Sequence, residues 1–163
     1  MKILNFPELR QAYEYDCGAS ALQSVLAYYN IDVREELIIK YLKTNSKNGT
    51  SIKNMTQVLK KFNLKFESRK MTIMEIKDYI NKKIPVLILL RAWDDDHWVV
   101  AIGYNKEKII FEDPYSIKRS FLKNKEFLKK WHTNEIDSEF PNHGIAVFSK
   151  KPILIKDEII HMK

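Results

Sequence analysis

Cysteine is almost absent from this chain of 163 residues: Cys17 stands alone. One thiol excludes an internal disulfide and makes a reducing, cytosolic compartment the expected home. Long apolar runs are missing as well. The longest, Ile84-Pro-Val-Leu-Ile-Leu-Leu90, stops at Arg91, well short of the roughly eighteen residues of a spanning helix, so the chain is not expected to be transmembrane itself. The first residues, Met1-Lys-Ile-Leu-Asn-Phe-Pro-Glu8, are too short and too charged a stretch to read as a signal peptide. No internal repeat, low-complexity tract or internal linker interrupts the sequence.

A concentrated basic stripe is lacking too. The formal charge is +7, yet the lysines are dispersed in pairs such as Lys60-Lys61, Lys82-Lys83, Lys129-Lys130 and Lys150-Lys151, the pattern of solvated faces. Nucleic-acid readers concentrate charge on one element with aromatics interleaved, so nucleic acid is not an expected partner. What the chain does have is an apolar fraction of 45%, enough to bury a core at the length of one ordinary domain. A single domain over 1–163 is expected, with its core at about 7–150 and 151–163 as a tail or linker.

The first half reads as helical and the second half mainly as strand. Leu22, Val25, Leu26 and Tyr29 recur at helical spacing after Cys17, and Leu37, Ile38, Tyr41 and Leu42 mark a second helix. After a loop through Asn45–Gly49, Ser51 is the expected N-cap of a third helix with Ile52, Met55, Leu59 and Phe62 on one face and Asn63 as its stop. Thr72 and Glu75 form a capping-box pattern opening a short fourth helix that ends near Asn81. Val86–Leu90 then reads as a fully buried strand. His97–Tyr104 and Ile109–Asp113, joined by the polar turn Asn105–Lys108, read as an antiparallel hairpin. Asn124–Trp131 is expected to form a short helix and Gly144–Phe148 a closing strand.

Antiparallel pairing returns the end of the second hairpin strand to the start of the first, which brings Asp113 back near His97. By alternation His97 shares its face with Val99, Ala101 and Gly103, a taper expected to receive the small residues Gly18, Ala19 and Ala21 that open the Cys17 helix. A thiol at a helix N-terminus is drawn toward the thiolate by the dipole, and an imidazole beside it draws further. Cys17, His97 and Asp113 are thus the parts of a cysteine nucleophile. His143 also precedes a strand and is the rival base; His132, at a helix end, reads as structural, and His161 lies in the tail. Asp94-Asp95-Asp96 is weighed as a metal cluster and read instead as a solvated loop whose charge could raise the His97 pKa. No metal and no cofactor are expected.

Gln11, separated by five residues from Cys17-Gly-Ala, together with His97-Trp-Val-Val and Asp113-Pro114, resembles the bacteriocin-processing cysteine peptidase family, as in the N-terminal peptidase domain of bacteriocin ABC exporters. The resemblance runs from about Gln11 to Phe148. It implies an α+β, papain-like fold with N-terminal helices packed on a C-terminal antiparallel sheet. It also implies a cysteine endopeptidase that cuts the leader of a secreted peptide precursor after a Gly-Gly site. On that resemblance Cys17 is the nucleophile, His97 the base and then the acid, Asp113 the group that orients the imidazole, and Gln11 an oxyanion donor. The implied partners are a peptide precursor with an amphipathic leader and an ABC exporter supplied in cis or in trans, at the cytoplasmic face of the membrane. A stand-alone protein and a piece of a larger exporter both remain open. So do a related thiol amidase or acyl transferase and a catalytically silent leader-binding domain.

Overall fold

The computed structural model describes residues 1–11, 16–44, 46–47, 49–134, 137–149 and 161. The connection 12–15, two positions of the loop before Ser51 and all of the expected tail except 161 lie outside the described residues. The chain runs β1 (Lys2–Ile3), α1 (Cys17–Tyr28), α2 (Glu35–Leu42), α3 (Ile52–Lys61), β2 (Lys65–Lys70) and α4 (Ile73–Asn81). It continues through β3 (Val86–Ala92), β4 (Asp95–Tyr104), β5 (Lys108–Glu112), β6 (Ser120–Lys123), α5 (Asn124–Lys130) and β7 (His143–Phe148). The strands form one antiparallel sheet in the order β2-β7-β3-β4-β5-β6, with β1 beside the far end of β4. This is the α+β arrangement of helices on an antiparallel sheet expected from the sequence.

The helix boundaries follow their local chemistry. Ser51 caps α3 by accepting from Asn54 N at 3.1 Å, and Asn63 stops that helix with φ 56°. At α4 both halves of the capping box form, Glu75 N to Thr72 Oγ1 at 3.2 Å and Thr72 N to Glu75 Oε2 at 2.7 Å. Three strands carry no sequence signal that alternation detects. β1 has two residues, β6 four, and β2 reads Lys-Phe-Glu-Ser-Arg-Lys with a single apolar side chain, the charged composition of an edge strand.

β4 is the spine of the sheet and is buried on both faces from His97 to Gly103. Cross-strand partners share a face, so Leu90 opposite His97 and Phe111 opposite Ala101 lie on the His97 side, where α5 covers Phe111 through Phe127 at 5.4 Å between ring centroids. α1 approaches the other face, against the buried Trp98. The small-residue taper toward Gly103 therefore does not receive α1 as the alternation suggested. A Cβ at Gly103 would meet Lys2 O at 2.7 Å and Ile3 Cγ1 at 2.9 Å, because β1 fills that place. The close approach of α1 is made at Gly18 instead, where a Cβ would lie 2.7 Å from Thr50 Cβ and 3.0 Å from Trp98 Cδ1.

One irregularity decides which face Asp113 takes. Tyr104 pairs with Ile109 and Gly103 with Ile110, but Ala101 pairs with Phe111 and Val100 with Glu112, so Ile102 is the extra residue of a β-bulge. Continuing the shifted register puts Asp113 opposite Val99, on the His97 face. Without the bulge it would fall opposite Val100 and point to the Trp98 face.

Replacing Gly18 by alanine tests the α1 approach. Alanine gains about 1 kcal/mol of helix propensity. Thr50 and Trp98 are each 2% exposed, so they cannot yield without disturbing the core, and overpacking costs roughly 1–3 kcal/mol. Gly18→Ala is expected to lower Tm by a few degrees in thermal unfolding; an unchanged or higher Tm would show that the approach has slack.

Candidate active site

Cys17 opens α1 with 8% of its surface exposed. β5 makes its last pairing at Glu112, so the side of β4 that β5 covers elsewhere is open at Trp98, and the Trp98 N–H donates to Cys17 Sγ at 3.5 Å. The thiol reaches the site around the end of β5 rather than through the sheet. It lies beside the His97 ring. His97 Nε2 and Asp113 Oδ1 are 2.6 Å apart, which leaves Nδ1 for the thiol.

Asp113 is 2% exposed and receives donors from several segments. Oδ1 accepts from the Tyr115 N–H at 3.0 Å besides the His97 contact, and Oδ2 accepts from Trp93 Nε1 at 2.9 Å and Ser120 Oγ at 3.3 Å. Burial works to raise the Asp113 pKa, but the bond and charge of His97, with the Trp93 and Tyr115 bonds, bring it below the ordinary carboxylate value. For His97 the largest influence is again burial, which favours the neutral ring. The hydrogen bonds to Asp113 and Cys17 and their charges outweigh it and push the ring up to about 9. The acidic loop is not the source of that lift: Asp96 turns to Arg91 at 3.1 Å, and Asp95 lies 3.8 Å from the same guanidinium. Among the described residues no group of three metal-ligating side chains converges.

Gln11 lies at the same place. It lines a cleft of about 210 Å³ together with Trp93, Asp95, Asp96, His97 and Tyr115. The Gln11 N–H donates to Pro114 O at 3.0 Å. Its neighbour Arg10 pairs with the buried Glu112, which Arg119 also approaches at 3.4 Å, and Arg119 bonds Phe6 O at 2.7 Å. The N-terminal segment is therefore clamped to the stretch that carries Asp113. Cys17, His97, Asp113 and Gln11 are all brought to one site. His143 is not: it sits on β7, with β3 between it and β4, and its Nε2 is 2.7 Å from Ser68 Oγ. Burial, the larger influence, brings its pKa below the ordinary value. Sequence reasoning missed Trp93, Arg10, Glu112 and Arg119, whose importance lies in contacts 7 to 113 positions apart, which no local pattern announces.

Behind Cys17 lies an acid pair. Asp16 is fully buried, and Glu35, which opens α2, hydrogen-bonds to it. Burial first, then the bond to Asp16 and the charges of Asp16 and Glu36, push Glu35 up to about 8.

The model of the peptidase C39 family matches residues 5–137. The pediocin PA-1 transport/processing ATP-binding protein PedD of Pediococcus acidilactici is 23% identical over 125 residues, covering 74% of this chain; the chain spans 17% of the length of that curated relative. A C39-like peptidase from Bacillus anthracis has the same fold, with TM-score 0.77 and 17% identity over 92% of this chain and 98% of the other. A double glycine motif protease from an AMS/PCAT transporter, solved in complex with the leader peptide, matches with TM-score 0.69 and 19% identity over 90% and 97%.

Two titrations follow from this site. The His97 imidazole, followed by NMR, is expected to have its midpoint near 9, and Asp113→Asn to move it to lower pH by removing the carboxylate bond and charge. Because the folded value is raised above 6.5, the contribution of His97 to stability is fully present below that pH and is lost as pH rises through about 9. An unmoved midpoint in Asp113→Asn would remove the carboxylate as the cause.

Glu35 gives the second. Its carboxyl holds its proton in the folded chain between about 4.5 and about 8 while the unfolded chain ionises, so stability falls as pH rises across that window and levels above it. Glu35→Gln keeps a donor for Asp16 and has no proton to lose. Its Tm should fall less between pH 5 and 8 than that of the wild type; parallel Tm–pH curves would contradict the pair.

Proposed function

Because the chain belongs to the peptidase C39 family and is a cysteine peptidase, we propose that it cuts the leader from a secreted peptide precursor after a Gly-Gly site. The observation that carries the mechanism is the buried His97–Asp113 hydrogen bond of 2.6 Å, with the Cys17 thiol beside the same ring. The double glycine specificity is supported by the fold shared with the protease of the AMS/PCAT transporter.

In the proposed cycle the Cys17 sulfur, its proton held by His97, attacks the carbonyl carbon of the scissile bond. A C–S bond forms and the carbonyl oxygen takes the negative charge. The Gln11 side-chain amide and the Cys17 backbone N–H donate to that oxyanion, each such donor being worth about 3 kcal/mol of barrier. As the intermediate collapses, the C–N bond breaks and His97 gives its proton to the leaving amine, leaving a thioester. Water then attacks the thioester carbon while His97 takes the proton, the C–S bond breaks, and the leader departs as a carboxylate. Asp113 holds the imidazole orientation throughout and stabilises the imidazolium.

An exporter is the proposed partner, on the strength of the similarity to PedD, whose name couples transport with processing. Among the described residues no helix is long and apolar enough to cross a membrane, so contact with the membrane would come through that partner, in cis or in trans, at its cytoplasmic face. Leader affinity would come from an amphipathic helix bound away from the cut.

Steady-state kinetics on a synthetic Gly-Gly leader peptide tests this. Alanine in place of the residue before the cut should depress kcat far more than it raises KM, and trimming the apolar face of the leader should mainly raise KM. Gln11→Ala should lower kcat roughly a hundredfold with KM little changed. Cleavage of short reporters as fast as the full leader would favour a thiol amidase instead.

A further inference from the structure

We infer that Trp93 is a positioning residue of this site, held in a strained turn so that its indole N–H fixes the Asp113 carboxylate and its ring walls the cleft beside His97. The inference rests on the reading above, in which His97 and Asp113 serve peptide cleavage. Ala92 pairs with Asp95, so Trp93 and Asp94 alone make the turn between β3 and β4. Both have positive φ, 55° and 62°, the pattern of a type I′ turn, where Asn-Gly is the favoured pair. A bulky aromatic in the left-handed region is a genuine outlier, because its Cβ crowds the backbone carbonyl. Burial does not account for it, since Trp93 is 56% exposed.

What Trp93 gains there is the site. Oδ1 of Asp113 is already engaged by His97 and the Tyr115 N–H; Oδ2 has Trp93 Nε1 at 2.9 Å and the longer Ser120 contact at 3.3 Å. Trp93 is the nearer of the two side-chain donors that stop the carboxylate rotating away from the imidazole. Its ring lies 5.4 Å from that of Tyr115, whose edge meets the His97 ring at 6.4 Å. Trp93 also borders both the cleft and a second, apolar cavity of about 260 Å³ that reaches Asp113 from Leu90, Val99, Phe111 and Phe121. The indole thus stands between solvent and the His97–Asp113 bond. Strain kept at a functional position is the expected signature of such a role.

Two variants of the full chain separate positioning from stability. Trp93→Phe keeps the ring and the backbone but loses the N–H; Trp93→Asn suits positive φ and loses the ring. For Trp93→Phe, kcat on the Gly-Gly leader peptide should fall roughly tenfold or more with KM little changed. The NMR midpoint of His97 should move to higher pH, because a carboxylate with one donor fewer holds the imidazolium proton more tightly. For Trp93→Asn, kcat should fall at least as far while Tm holds or rises. The inference is overturned by a Trp93→Phe enzyme with kcat within about twofold of wild type and an unmoved His97 midpoint, or by a Trp93→Asn enzyme that keeps kcat and loses Tm. If the wild type leaves the leader peptide uncut, it is the cleavage reading that fails, and the His97 midpoint of Trp93→Phe still decides the positioning.

Discussion

A buried carboxylate must be met by donors or it will not stay charged, and Asp113 is that carboxylate here. Its partners come from the start of β4, the β3–β4 turn, the backbone just after Asp113 and the start of β6. Satisfying one acid therefore fixes the ends of several strands at a single point. The sheet offers a rigid edge on which an imidazole can be held between that acid and a thiol, and the missing β5 neighbour at Trp98 lets α1 deliver the thiol there.

The adjacent acid organises the opposite side. Glu112 precedes Asp113 on β5 and so faces the other way, where it draws Arg10 and Arg119. Burial, its largest influence, keeps its pKa above the ordinary value even against two guanidiniums, which marks how far it sits from water. The grip on Arg10 brings Gln11 to the cleft, and the Gln11–Pro114 backbone bond completes the clamp. Two consecutive acids thereby govern the two halves of the proposed machinery, one holding the imidazole and the other the segment with the oxyanion donor.

Much of this was legible in the sequence where the signal was local. The α3 cap at Ser51, the capping box at Thr72, the buried run of β3 and the β4–β5 hairpin all rest on chemistry within a few residues. The proximity of His97 and Asp113 was readable because a hairpin turns sequence order into spatial order. Less was legible where the cause is distant. The packing of α1 on the Trp98 face depends on the flat indole and on β1 occupying the Gly103 position, and neither leaves a periodic trace. The edge strands β2 and β6 are too polar or too short for alternation to mark them. In the sequence Trp93 is one more residue before an acidic run; only its turn geometry and its bond to Asp113 set it apart.

The bulge at Ile102 has a consequence for how such chains tolerate insertion and deletion. Face selection for Asp113 is made inside the strand pair, at the extra residue, and the polar connection Asn105–Glu107 plays no part in it. Residues added to or taken from that connection leave the parity of β5 relative to β4 untouched, so its length is free to drift among relatives. Loss of Ile102 itself would close the bulge with Val99 still opposite Asp113, whereas pairing Ile102 into the ladder would move Asp113 opposite Val100 and strand the imidazole without its acid. Length variation is therefore harmless at the tip of this hairpin, and what the middle must keep is the unpaired state of Ile102.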